Sequence, residues 1–201
     1  MTGRGAAAGN ALLEALVAVF LGTILAAAAA PSLAGLHARS RLAAGTRRVA
    51  ATLRAARGEA IARGRAVGVV FAARPTGGYD VELHEDTDGD GIQSADIAAG
   101  VDRRLGVPWR LGDLAPGVEF SFLPRPSIRK IPPQTGLIAN LTDPIQVGPS
   151  DIVSFTPLGR CSSGTIYLSD GGSQMGAVVL YGPTGRSRLW RYVDVQDRWV
   201  P

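Results

Sequence analysis

The sequence predicts an α+β protein, one long N-terminal α-helix packed on an antiparallel β-sheet or sandwich. Three observations carry the prediction. Residues 11–30 form an apolar run whose only charge is Glu14. Beyond it, Leu42, Thr46, Val49, Leu53, Ala56 and Ala60 recur at spacings of four and three, the stripe of a one-sided helix. After Arg65 the period changes, and short β-rich runs alternate with glycine and proline turns.

The apolar run comes first. A helix of about 20 residues rises about 30 Å, the thickness of a bilayer's hydrocarbon core. The run therefore reads as a membrane helix. A secretory signal peptide is the competing reading, because "AAAAAPSLAG" offers small residues for a cut. The run is long for such a segment, and an acid near its start suits a discarded peptide poorly. Charge counting is at odds with an external C-terminal domain. Arg39, Arg41, Arg47 and Arg48 follow the run, whereas Arg4 alone precedes it, which by the loop-charge rule would leave the C-terminal side in the cytoplasm.

Pro31 is expected to bend the helix, since proline removes an amide donor and crowds the preceding turn. Arg47, Arg48, Arg54, Arg57 and Arg63 flank the apolar stripe and read as a solvated face. Gly64 is a natural stop for the helix.

Strands are expected at residues 66–73, 78–85, 117–123, 151–157, 164–169, 176–182 and 187–194. Gly77-Gly78, Gly171-Gly172 and Pro183-Thr184-Gly185 supply the turns. Links this short favour antiparallel hairpins. Residues 124–150, rich in proline and without a period, read as a long surface loop.

Composition narrows the chemistry. Of 201 residues, 46% are hydrophobic but only 6% aromatic, so the core should be aliphatic. The net charge of +4 is almost entirely arginine, with Lys130 the only lysine, and is too small to imply nucleic acid by itself. Cys161 is the single cysteine, so no internal disulfide can form. The sequence lacks G-x-S-x-G, a P-loop and H-E-x-x-H. It does not read as an enzyme, and no cofactor is required.

Two motifs invite chemistry. In "DTDGDGIQSAD", residues 86–96, Asp86, Asp88, Asp90 and Gly91 follow the opening of a calcium loop in which alternate acids converge on a hard cation. The twelfth position is Ile97, with Asp96 one place early and no helical pattern on either side. Bound Ca²⁺ and a plain polar hairpin loop both remain open. In "GRSRLWRYVD", Arg186 and Arg188 fall on one strand face with Trp190. Two arginines could meet neighbouring phosphates and the indole could stack on a base. The alternative is a charged sheet edge that resists aggregation.

"GNALLEALVAV", residues 9–19, resembles the class III signal of type IV pilins and type II secretion pseudopilins. "ARGEAIARGRAVGVVF", residues 56–71, resembles the end of the long helix and the first strand in the GspH/FimT subgroup of minor pseudopilins and minor pilins. Gly185-Arg186-Ser187-Arg188 resembles the G-R-x-R motif with which FimT-type minor pilins bind DNA, and similar ends occur in some secretion pseudopilins. The resemblance implies a pilin-like fold and four regions. These are a leader at 1–9, a transmembrane half-helix at 10–31, an amphipathic half at 32–64 and a periplasmic β-rich domain at 65–201.

It implies that prepilin peptidase cuts after Gly9, leaving Asn10 as the amino terminus, where an apolar residue is usual. Methylation of that terminus goes with such processing. Glu14 would then neutralise the new amine of a neighbouring subunit during assembly, with Pro31 closing the membrane half. The implied protein is a single-pass inner-membrane subunit, non-catalytic, near the tip of a pseudopilin filament that supports protein export. Its partners would be other pseudopilins or pilins. The competing functions are a type IV pilus minor pilin that binds DNA during uptake, and a secreted calcium-binding β-protein with a cleaved signal peptide.

Overall fold

The computed structural model describes the backbone over residues 5–201, and the side chains over the same range except at 5–10, 12 and 25–34. Helix α1 runs over Gly5–Arg63 without a break, so the backbone continues as helix through Pro31. Compactness divides the chain into two units, Met1–Arg39 and Ser40–Pro201.

In the first unit, alanine and leucine, strong helix formers, supply 20 of the 35 residues from 5 to 39. Its described apolar side chains are exposed around the whole circumference, including Leu13 at 64%, Leu16 at 62%, Val19 at 68% and Phe20 at 62%. Among the described residues, no helix is long and apolar enough to cross a membrane. The expected span at 10–31 lies partly outside those residues, and so do the side chains of Gly9, Asn10 and Pro31.

The second unit opens on the one-sided part of α1. Every member of the expected stripe is buried, from Leu42 at 3% to Ala56 and Ala60 at 0%. Thr46 is tolerated there because its hydroxyl donates to the Leu42 carbonyl at 2.8 Å. Arg47, Arg48 and Arg54 are exposed. The helix ends where Gly64 turns left-handed at φ 66°, its amide donating to the Ala60 carbonyl at 3.1 Å.

Two antiparallel sheets follow. The first has four strands in the order β3-β2-β1-β5 and contains β1 (Val67–Ala73), β2 (Tyr79–Glu85), β3 (Arg103–Arg110) and β5 (Ile152–Phe155). The second has five strands in the order β4-β6-β7-β8-β9. These are β4 (Ile145–Gln146), β6 (Gly164–Ser169), β7 (Met175–Tyr181), β8 (Arg186–Val193) and β9 (Arg198–Val200). Short helices α2 (Ser94–Ala99) and α3 (Leu111–Leu114) flank β3.

The helix stripe shares one core with both sheets. Leu53, Val49 and Ala60 join Val67, Val69 and Phe71 of the first sheet and Ile166, Leu168 and Val178 of the second. Small residues permit the close approach. A Cβ on Gly176 of β7 would stand 3.0 Å from the Thr46 hydroxyl, and one on Gly45 would stand 3.1 Å from Leu111.

Several sequence expectations are corrected. Residues 117–123 do not form a strand. Pro116, Pro124 and a left-handed Gly117 (φ 78°) bracket them, and only the Glu119–Ser169 bridge forms. Their alternation is nonetheless real: Val118 and Phe120 are buried while Glu119 is exposed, and Phe120 meets Phe71 and Tyr79 edge to face.

Nor is 124–150 only a surface loop. Ile128 (0%), Ile131 and Ile138 (both 7%) are buried with Leu123, Tyr167, Met175, Trp190, Tyr192 and Trp199 in a second apolar cluster. That cluster covers the face of the second sheet turned away from the main core. The segment is fastened to the C-terminal hairpin by the Trp199 indole, which donates to the Arg129 carbonyl at 2.7 Å, and by the Arg129–Asp197 ion pair at 2.8 Å. Tyr192 also hydrogen-bonds Asp197, and burial followed by that carboxylate pushes its phenol up to about 12.

Strand β3 was not expected, because Gly106 and Pro108 interrupt its pattern. It lies at a sheet edge, where a missing amide donor is tolerated, and an irregularity in register accommodates the interruption.

Candidate functional site

The β2–β3 connection gathers the most chemistry. The strands pair up to Glu85 opposite Arg103, so Asp86 and Asp102 are the next residues across the hairpin mouth. Both are buried, at 5% and 3% exposure. Asp86 is fixed by the turn that follows it: Gly89 and Gly91, both left-handed, donate their amides to its carboxylate at 2.6 and 3.1 Å. Asp102 accepts the Gln93 amide on Oδ2 at 3.3 Å, while its Oδ1 is buried with no hydrogen-bond partner among the described residues. Burial, with the nearby charges of Asp86 and Asp88, pushes the Asp102 carboxyl above the usual carboxylate range.

Carboxylate oxygens of Asp86, Asp88 and Asp102 lie within 4.8 Å of one another, and those of Asp88, Asp90 and Asp96 form a second such group. The four acids singled out from sequence are therefore split between two groups that share Asp88. Asp102 was missed. Its signal is its register position opposite Asp86, which is readable only once β3 is known. A six-residue helix, α2, also lies within the connection, where no helical pattern was expected.

The arginine motif divides differently. Arg186 and Arg188 are exposed on β8, and neither joins an ion pair among the described residues. Trp190 shares their strand face but is 8% exposed, covered by the second apolar cluster, so it offers no platform for a base. Gly185 is set by packing. It is left-handed at φ 60°, and a Cβ there would stand 2.0 Å from the Gly159 carbonyl oxygen. That same carbonyl accepts a hydrogen bond from Arg57 of α1 at 3.0 Å.

Near the amino terminus, Glu14 is exposed on α1 among exposed leucines and valines. Gly9 and Asn10 lie in helix, and their side chains fall outside the described residues.

A one-sided helix carried on two antiparallel sheets, preceded in the same helix by an apolar segment, defines an α+β, pilin-like class of protein. The family model of the type II transport protein GspH matches residues 45–185, from the buried stripe of α1 to the turn before β8. The chain belongs to the GspH family, a family of structural rather than catalytic components. No curated protein and no solved structure matches it.

Proposed function

We propose that the chain is a minor pseudopilin of a type II secretion system, a non-catalytic subunit of a filament near whose tip it supports protein export. The family match over 45–185 carries this reading. The exposed apolar surface of residues 13–24 supports it, since such a surface needs lipid or neighbouring helices to cover it. In this reading prepilin peptidase removes residues 1–9, the apolar half of α1 sits in the inner membrane, and the β-rich domain faces the periplasm.

Glu14 then has a defined task. A carboxylate costs roughly 2.5–3.5 kcal/mol at the centre of a bilayer. Cleavage after Gly9 creates an amine, and Glu14 of one subunit neutralises the amine of the next as they enter the filament. Mass spectrometry of the mature protein tests the cut. A start at Asn10 is expected, whereas a start near Leu33 would indicate a removed signal peptide and a secreted protein. Glu14→Ala should be processed yet fail to join filaments; normal incorporation overturns the assembly role.

A second reading, DNA binding by a type IV pilus minor pilin during uptake, draws on Arg186 and Arg188, which are exposed and join no ion pair among the described residues. Phosphate contacts by two arginines give salt-sensitive binding that Arg186→Ala with Arg188→Ala removes. A gel shift decides it, and no salt-sensitive shift with the unaltered protein eliminates the reading.

A further inference from the structure

The mouth of the β2–β3 hairpin has an electrostatic imbalance that the fold alone does not explain. Like charges brought together in a buried setting are destabilising, and Asp86 and Asp102, just beyond the last ladder pair Glu85–Arg103, are in that relation. One position earlier the same hairpin solves the problem conventionally: Glu85 is buried but pairs with Arg103 at 2.5 Å and Arg63 at 3.4 Å. Among the described residues, none of Asp86, Asp88, Asp90, Asp96 and Asp102 joins an ion pair. A neighbouring cation, Arg65, donates its guanidinium to the Asp86 and Thr87 backbone carbonyls at 3.3 and 2.7 Å. Asp102 Oδ1 is the decisive atom, a carboxylate oxygen buried without a donor among the described residues, in a residue 3% exposed. No ion pair among the described residues compensates its charge.

We propose that Asp86, Asp88 and Asp102 hold a divalent cation, and that the ion is Ca²⁺. The three carboxylates have oxygens within 4.8 Å of one another. Ligands at about 2.3–2.6 Å from a calcium ion are at most about 5 Å apart, so the three carboxylates stand at a spacing that one ion can draw together. The ligand set is all oxygen, which suits a hard cation; zinc would call for histidine or thiolate. Calcium also accepts irregular shells of six to eight oxygens, whereas magnesium demands a near-ideal octahedron that a loop this varied does not supply. Asp102 takes the place of the acid missing at Ile97. It arrives from the far strand of the hairpin, so the ion ties β3 to β2 and fixes the intervening segment that contains α2. Asp90 and Asp96, grouped with Asp88 on the exposed side, add negative potential around the ion.

The site makes a two-signed prediction. The full chain, purified in detergent and stripped with EDTA, should melt at a higher temperature when CaCl₂ is added, and MgCl₂ at the same concentration should raise it less. In EDTA, Asp102→Asn should melt above the unaltered protein, because it removes an uncompensated buried charge. In CaCl₂ it should gain little, with calcium binding in titration calorimetry weakened tenfold or more. Asp88→Asn, at an exposed position, should fold normally and also lose the response, which keeps the test valid if Asp102→Asn fails to fold. Asp113→Asn, an exposed acid outside the connection, should keep it. Equal melting of the unaltered protein in EDTA and CaCl₂ overturns the proposal. So does a calcium response that survives in Asp88→Asn.

Discussion

The two halves of α1 are both rich in alanine and leucine, yet they differ in charge and in the burial of their apolar side chains. From residue 13 to 24 the apolar side chains stand exposed all round the helix, whereas from Leu42 to Ala60 they occupy one buried stripe with arginines beside it. Both charge and periodicity separate the halves: Glu14 is the only charged residue of 11–38, whereas arginines flank the later stripe. A helix apolar on every side has no preferred face for a domain to grip, so it suits a medium that is itself apolar. A helix apolar on one side has a single best seat, here against two sheets. The contrast teaches that one uninterrupted helix can present two kinds of surface when its pattern changes partway along.

The sharpest way to break that comparison is to truncate one leucine from each half. Leu53 is 1% exposed in the shared core, so Leu53→Ala should cost about 2–5 kcal/mol in denaturant unfolding of the detergent-solubilised chain. Leu16 is 62% exposed, so Leu16→Ala should stay within about 0.5 kcal/mol in the same experiment. Similar losses at both positions would mean that the halves are packed alike.

A somewhat smaller effect is expected at Ile128, which is fully buried in the proline-rich segment. Ile128→Ala should lie toward the lower end of the same range of about 2–5 kcal/mol, because an irregular segment can settle into the space left behind. No measurable loss would return 124–150 to the status of a simple surface loop and leave the helix-covered core as the only one that matters.

The smallest effect is electrostatic and belongs to the base of the helix's domain. The Arg103 hydrogen bond, with the Arg103 and Arg63 charges, holds the Glu85 carboxyl below its ordinary value of 4.5. A depressed acid stabilises the fold above its ordinary value and loses that contribution as pH falls through the folded one. Between about pH 5 and pH 3 the unaltered protein should therefore lose stability faster than Glu85→Gln. Arg103 is largely solvent-exposed, so the difference should be on the order of 1 kcal/mol or less. Parallel melting curves would show that the ion pair is idle.

What was legible in the sequence followed the strength of each local pattern. The stripe of α1 and the strands β1, β2, β6, β7 and β8 were visible because period and burial agree over several residues. Strand β3 was hidden by Gly106 and Pro108, which are tolerated only because its place at a sheet edge relaxes the demand for amide donors. Asp102 was hidden with it. Its meaning depends on standing opposite Asp86, a relation sixteen residues long that no motif records. Trp190 shows a different limit: alternation placed it on the face of Arg186 and Arg188, but the isoleucines that cover that face come from a segment with no period at all.

The crowding at Gly185 reaches beyond this molecule. A side chain there would collide with the Gly159 backbone, whose oxygen is already held by Arg57. The leading glycine of the arginine motif is thus dictated by how a hairpin seats against a helix, independently of any polyanion. Scanning genomes for that short signature would gather chains that share a joint, and affinity for DNA would have to be established for each one separately.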